Sequence, residues 1–134
     1  MIAGQVRGLL FDYGNTLIRY GRREDGLVMD AFHAYVASRG WTVPEDTFYA
    51  VVRQVTSHLI DRATSTGIEV DRGEKVRGVL TGLELPVDEE TVDGALDAIR
   101  TGFVDAIEAS DDLVPRLTRL AEEFQLGLLS NYYL

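Results

Sequence analysis

The sequence has no cysteine, a single lysine (Lys75) and only three prolines among its 134 residues. Without cysteine, the chain can form neither a disulfide framework nor a thiolate metal site. This absence fits a reducing compartment, so we expect a cytoplasmic protein. No apolar run approaches the roughly 18 residues that a membrane span needs, and the polar start of the chain does not resemble a signal peptide. We therefore expect no membrane partner.

Basic residues are scarce as well. Thirteen lysines and arginines stand against 22 acidic residues, which gives a net charge of −9. Nucleic-acid binding depends on clustered basic side chains that neutralise phosphates, so we expect no nucleic-acid partner. A small phosphorylated substrate responds to the local field and is not excluded by the overall charge.

Two short apolar runs, each ending in polar residues, predict two buried strands. Val6–Phe11 stops at Asp12 and runs into a glycine turn, and Gln125–Leu129 stops at Ser130-Asn131. A helix precedes the second run, with a proline tolerated in its first turn. Right-handed crossover rules make the two strands parallel, and ligands collect beyond the carboxyl ends of parallel strands. We therefore expect these two polar clusters to lie together.

The segment between the strands begins with a loop, Arg19–Gly26, and then has helical periodicity. Four amphipathic segments follow one another, and Asp88 is the expected N-cap of the fourth. Four such segments predict a small helical bundle. Their apolar stripes run from Leu27 to Val36, from Phe48 to Ile60, from Val76 to Leu83 and from Val92 to Ile107. In the fifth helix we expect Leu117, Leu120, Ala121 and Phe124 to face inward.

Asp12 is the first candidate for chemistry. A carboxylate at the tip of a buried strand is held rigidly, and carboxylates serve as nucleophiles that form aspartyl-phosphate or ester intermediates. The alternative is a turn residue that bonds to nearby backbone N–H groups. Thr16 is either part of a functional site or a turn residue. Ser130 is either part of a functional site or the cap of a following helix. Arg19, Arg22 and Arg23 either meet an anionic substrate or form a solvated loop.

Leu9–Leu17 resembles the first signature of the haloacid dehalogenase (HAD) superfamily, an apolar strand followed by Asp-x-Asp-x-Thr and an apolar residue. Leu128–Asn131 resembles the second signature, an apolar strand that ends in Ser or Thr. The helical segment between them is similar to the family's inserted cap, and the likeness spans the whole chain. The resemblance implies an α/β fold: a Rossmann-like parallel-sheet core, incomplete here, at residues 1–18 and 108–134, with a helical cap at 19–107.

The resemblance also implies a Mg²⁺-dependent phosphatase that acts on a small phosphorylated metabolite through an aspartyl-phosphate. Asp12 would be the nucleophile and a Mg²⁺ ligand, and Thr16 would orient it. Ser130 and the backbone amide of Asn131 would bind the transferred phosphoryl group. The carbonyl of Gly14 would be a further Mg²⁺ ligand.

Gly14 also departs from the family, because phosphatase members carry there a second Asp as general acid and base. Its loss removes a contribution typically worth about 10²–10⁴-fold. Substrates whose leaving group needs no proton, such as acyl phosphates, should suffer least. Dehalogenase members usually carry Tyr at that position and match less well. The alternative function is a non-catalytic HAD-like binding or interaction module.

The second departure concerns the family's basic residue and late acidic pair, which lie well downstream of the second signature, whereas this sequence ends at Leu134. Lys75 falls in the cap and does not match the basic residue. Two parallel strands would also leave edges and faces uncovered. The sequence therefore predicts a truncated form, a fragment, or one half of an assembly in which self-association or a second chain completes the sheet. By itself, we expect this chain not to be a competent enzyme.

Overall fold

The computed structural model describes residues 6–20 and 24–130. Within these ranges the protein is mixed α/β, with five helices, a small parallel sheet and a second, antiparallel strand pair. The elements are β1 (Gly8–Asp12), β2 (Ile18–Tyr20), α1 (Glu24–Ser38), α2 (Glu45–Thr66), α3 (Arg72–Gly82), α4 (Glu89–Ala106), β3 (Ile107–Ala109), α5 (Leu113–Ala121) and β4 (Gln125–Leu129). None of the helices in these ranges combines the length and the apolar composition that crossing a bilayer requires.

The chain divides into two compact units. The strand-bearing unit contains Met1–Glu24 and Ala106–Leu134, and the helical unit contains Asp25–Asp105. All four strands and α5 belong to the first unit, whereas nearly all of α1 to α4 belongs to the second.

The parallel sheet consists of β1 and β4. Gly8 pairs with Gln125 at one end of the ladder and Asp12 pairs with Leu129 at the other. The predicted parallel pairing is confirmed, and β4 has the bounds that its apolar run predicted. The chain returns to the sheet through α5, as expected for parallel neighbours that need a crossover connection.

The second strand pair was not predicted. β2 and β3 are antiparallel, with Ile18 opposite Ala109 and Tyr20 opposite Ile107. The expectations of a loop starting at Arg19 and of a fourth helix reaching Ile107 were therefore wrong. Both strands are only three residues long, and their pairing joins segments far apart in the sequence, which local periodicity cannot reveal.

The helical unit is built around an apolar core from all four of its helices. Phe32 of α1 meets Phe48 of α2 edge-on, with ring centroids 5.3 Å apart. α2 and α3 approach closely at Gly78. A Cβ added there would lie only 2.9 Å from Val55 Cγ1. The core residues are Phe32, Val36, Phe48, Val52, Val76, Val79, Leu80, Val92, Ala95 and Ile99.

Asp88 is the N-cap of α4, as predicted. Its Oδ1 accepts a hydrogen bond from the backbone N–H of Thr91 at 2.9 Å, and its Oδ2 accepts one from the Thr91 hydroxyl at 3.1 Å. These bonds satisfy one of the N–H groups that the first turn of a helix leaves without a partner. They also hold the pKa of the Asp88 carboxyl below its usual value, with the backbone bond the larger cause.

The parallel sheet has exposed apolar surface. Leu10 is 66% exposed, Leu128 56% and Leu129 64%. α5 covers the sheet less than its apolar stripe predicted, because none of its residues is buried and Ala121 is exposed. Parallel sheets are normally covered on both faces, so this surface is unusual for its type. The expectation that another chain completes the sheet stays a prediction.

Candidate functional site at the carboxyl end of the parallel sheet

A tight turn follows β1. The carbonyl of Tyr13 accepts hydrogen bonds from the backbone N–H groups of Leu17, at 3.0 Å, and Ile18, at 3.2 Å. Asn15 has a φ of 57°, in the left-handed region that Asn tolerates better than most side chains. The turn therefore folds the chain back immediately beyond Asp12.

This turn brings Thr16 to Asp12. The Thr16 hydroxyl donates a hydrogen bond to Asp12 Oδ2 at 2.8 Å, and both side chains are exposed. Asp12 pairs with Leu129 across the parallel ladder, so Ser130 is the next residue at the same sheet edge. We call Asp12, Thr16 and Ser130 the strand-end site. The structure thus joins Thr16 to Asp12 and places Ser130 one residue beyond the ladder partner of Asp12, whereas Asn131 lies outside the described residues.

The Thr16 hydroxyl engages Asp12 Oδ2 and so orients the carboxylate. A near-attack geometry requires the reacting atoms at roughly 3–3.5 Å, which an oriented carboxylate favours. The arrangement can therefore present one carboxylate oxygen to an electrophile beyond the strand ends.

Gly14 lies in the turn against the ring of Tyr20. A Cβ added at Gly14 would be 2.5 Å from Tyr20 Oη and 2.9 Å from Tyr20 Cε2. The Tyr20 ring therefore occupies the space into which a side chain at residue 14 would extend. Sequence reasoning recognised Gly14 as a departure from the HAD pattern but did not identify Tyr20, because that contact depends on the fold of β2.

The expected Mg²⁺ ligands supply a partial donor set. Among residues 6–20 and 24–130, no three His, Asp or Glu side chains are grouped so that they could hold a metal ion. The Asp12 carboxylate and the Gly14 carbonyl are two oxygen donors. Mg²⁺ in proteins commonly takes one or two carboxylates and completes its shell with water and substrate phosphate oxygens. These two donors are too few for a closed protein site, so Mg²⁺ would need water and substrate oxygens as well, and its binding stays a prediction.

A cavity of about 590 Å³ opens beside the strand-end site. We call it the side cavity. Thr16 both lines this cavity and donates to Asp12, so the cavity adjoins the carboxylate. The lining residues come from the turn and β2, and from β3 and the start of α5; they are Asn15, Thr16, Leu17, Ile18, Arg19, Glu108, Ala109, Ser110, Asp112, Leu113 and Arg116.

Two of the four charges in the side cavity neutralise each other. Arg116 Nε donates to Asp112 Oδ2 at 2.7 Å, and the Ser110 hydroxyl donates to Asp112 Oδ1 at 2.5 Å. These bonds lower the pKa of the Asp112 carboxyl, with the Ser110 bond the larger cause and the Arg116 bond the next. Asp112 therefore stays ionised and tied to its own helix.

The other two charges, Arg19 and Glu108, lie directly opposite each other on the β2–β3 ladder. Neither forms a salt bridge with another residue in the part of the chain that the structure describes. The sequence had suggested Arg19 as a residue for an anionic substrate. Nothing in the local sequence indicated Glu108, because its position depends on the unpredicted strand pair. Arg22 and Arg23 lie outside the described residues.

Comparison with known protein families finds no match for this chain, and comparison with curated proteins finds none either.

Proposed function

We propose that this chain carries the nucleophile, Asp12, of a HAD-type hydrolase, a Mg²⁺-dependent phosphatase that acts on a small phosphorylated metabolite and whose active form needs groups beyond those of this chain. The observation that carries the proposal is the strand-end site. Asp12 accepts a hydrogen bond from Thr16 at 2.8 Å, and Ser130 follows the strand that pairs with Asp12. A carboxylate and a hydroxyl thus stand at one edge of a parallel sheet, where such sheets bind ligands.

In the proposed reaction, an Asp12 carboxylate oxygen attacks the phosphorus atom. A phosphorus–oxygen bond to Asp12 forms as the bond to the leaving group breaks, and the leaving-group oxygen departs with the electron pair. Water then attacks the phosphorus atom of the aspartyl-phosphate, the bond between phosphorus and Asp12 breaks, the Asp12 carboxylate is regenerated, and the proton of the water passes to the released inorganic phosphate. Ser130 donates to an oxygen of the transferred group, because this chemistry depends on positioning and on neutralising the equatorial oxygens. A Mg²⁺ ion held by Asp12 and the Gly14 carbonyl would supply further neutralising charge.

The proposal includes a preference for good leaving groups. Gly14 provides no carboxylic acid to protonate the departing oxygen, and the Tyr20 ring occupies the space in which such a group would sit. A phenol is a much weaker acid than a carboxylic acid, so the ring does not replace the missing group. The leaving groups of acyl phosphates and aryl phosphates depart without first taking up a proton, so these substrates should react faster than alkyl phosphates.

The test is phosphate release from acetyl phosphate and p-nitrophenyl phosphate with Mg²⁺, measured on the longest protein that the gene encodes. The Asp12→Asn variant should lose the activity, because an amide is not a nucleophile for phosphorus. Asp93→Asn is the matched control, since Asp93 is an exposed aspartate in α4, and it should retain full activity. Equal rates for the wild-type protein and Asp12→Asn would end this proposal.

Gly14 also favours a second candidate, a non-catalytic module that binds a phosphorylated ligand or a partner on the same scaffold. The catalytic role and the binding role differ in whether phosphate is released after the ligand binds. Calorimetry with Mg²⁺ and a phosphate mimic such as beryllium fluoride measures binding without turnover. Mg²⁺-dependent binding that requires Asp12, in a protein that releases no phosphate, would support the second candidate over the first.

A further inference from the structure

We propose that the side cavity binds a zwitterionic small-molecule group, with Arg19 receiving its carboxylate and Glu108 receiving its ammonium. The cavity has a volume of about 590 Å³, within the usual range of about 300–1,000 Å³ for small-molecule sites. All of its lining residues belong to the strand-bearing unit.

The first support is the position of the two charges. Opposite charges that face each other across an antiparallel pair usually attract and form a stabilising contact. Arg19 and Glu108 are such a pair and both line the cavity, yet no salt bridge joins them. Each therefore retains its hydrogen-bonding capacity for a ligand: the Arg19 guanidinium donates, and the Glu108 carboxylate accepts.

The second support is the neutralisation of the remaining charges. Asp112 is tied to Arg116 and Ser110, so it does not compete strongly for a ligand cation, and Arg116 does not compete strongly for a ligand anion. A simple anion would be repelled by Glu108 and a simple cation by Arg19. A group that carries both charges satisfies both side chains at once, which gives selectivity through repulsion of the single-charged alternatives.

The third support is the connection to Asp12. Thr16 lines the cavity and donates to the Asp12 carboxylate, so a group in the cavity is adjacent to the strand-end site. We assign this group to the part of the substrate that departs from the phosphoryl group. That assignment rests on the proposed function, whereas the binding of a zwitterion does not.

The experiment compares three matched probes: β-alanine, which has both charges, propionate, which has only the acid, and propylamine, which has only the ammonium. Titration of the full chain is followed by the NMR shifts of backbone amides at residues 15–19 and 108–113. β-Alanine should bind about tenfold more tightly than either single-charged probe, the effect expected of one additional charge-assisted hydrogen bond.

Two variants separate the roles. Arg19→Gln should abolish the advantage of β-alanine over propylamine, and Glu108→Gln should abolish its advantage over propionate. Arg53→Gln and Glu69→Gln change exposed residues of the helical unit, outside the cavity, and should leave all three affinities unchanged.

Equal affinity for the three probes, shifts confined to other amides, or an equal response of the control variants would overturn the proposal. A parallel titration with ethyl phosphate and Mg²⁺ tests the strand-end site by itself. If β-alanine shows no preference but ethyl phosphate still binds in an Asp12-dependent way, only the cavity assignment is refuted. If β-alanine is preferred but ethyl phosphate does not bind in an Asp12-dependent way, only the proposed function is refuted.

Discussion

Replacing Gly14 with alanine should destabilise the strand-bearing unit, because the new methyl group would overlap the ring of Tyr20. The added Cβ would lie 2.5 Å from Tyr20 Oη, 2.9 Å from Cε2 and 3.0 Å from Cζ. Non-bonded carbon atoms prefer a separation of about 3.5–4.0 Å, so the ring must move by about 1 Å or turn away. The backbone itself does not oppose the change, since the φ of Gly14 is outside the left-handed region.

Two terms set the magnitude. Overpacking costs about 1–3 kcal/mol, and the reduced freedom of the unfolded chain returns about 0.4–1 kcal/mol. We therefore expect Gly14→Ala to lower the free energy of opening by about 1–2 kcal/mol, a factor of about 5–30 in amide protection. In a Tyr20→Val background, which keeps a strand-forming residue, the overlap is absent and the same substitution should stabilise the unit by about 0.4–1 kcal/mol.

The assay is native-state hydrogen exchange at the amides of β2, in the wild-type protein, the two single variants and the double variant. Trp41, the only tryptophan, belongs to the helical unit, so its fluorescence during urea unfolding is an internal control that should not change. The contact is refuted if the two substitutions are additive within about 0.5 kcal/mol, the usual limit for independent sites. A Gly14→Asp variant intended to restore a general acid meets the same overlap, so it should require a smaller residue at position 20.

Two further predictions concern the helical unit. Glu84 follows the end of α3 with a φ of 57°, and the N–H of Leu85 donates to Leu80 O at 2.9 Å. Because glycine adopts a positive φ without steric cost, Glu84→Gly should raise the free energy of unfolding in urea by about 0.5–1 kcal/mol, whereas the control Glu84→Ala should not. A lower urea midpoint for the glycine variant would contradict this reasoning. The pKa of Asp88 is lowered in the folded state, so its contribution is complete above the unfolded pKa of about 3.9 and is lost as pH falls through the lower folded value. Asp88→Asn keeps an N-cap but does not titrate, and it should flatten the decline of the urea midpoint below about pH 4; an unchanged acid slope would count against the cap bond as its source.

Local sequence patterns determined the elements that depend on near neighbours. The apolar run that begins after Gln125 ends at polar residues, and residues 125–129 form β4. The N-cap at Asp88 was predicted from its position before an apolar stripe. α2 contains the predicted stripe from Phe48 to Ile60 and ends at Gly67, which takes a left-handed φ of 70°. Each of these signals acts through periodicity or capping within a few residues, which is why the sequence displays it.

The meeting of Asp12 and Ser130 at one sheet edge was also predictable, because handedness rules restrict how a strand, a helix and a second strand can connect. The Thr16 bond to Asp12 follows from their spacing of four residues across a tight turn. Two short sequence segments therefore determine most of the strand-end site. The chemistry assigned to that site depends on the resemblance to the HAD superfamily and is a proposal.

Only the tertiary structure decided the rest. The β2–β3 pair places Glu108 opposite Arg19, lays Tyr20 against Gly14 and forms the wall of the side cavity. Three-residue strands have almost no periodicity of their own, and their partners are separated by the entire helical unit. Strand pairing of this kind is stabilised by contacts across the ladder, not by local propensity, so the sequence alone could not show which residues would meet.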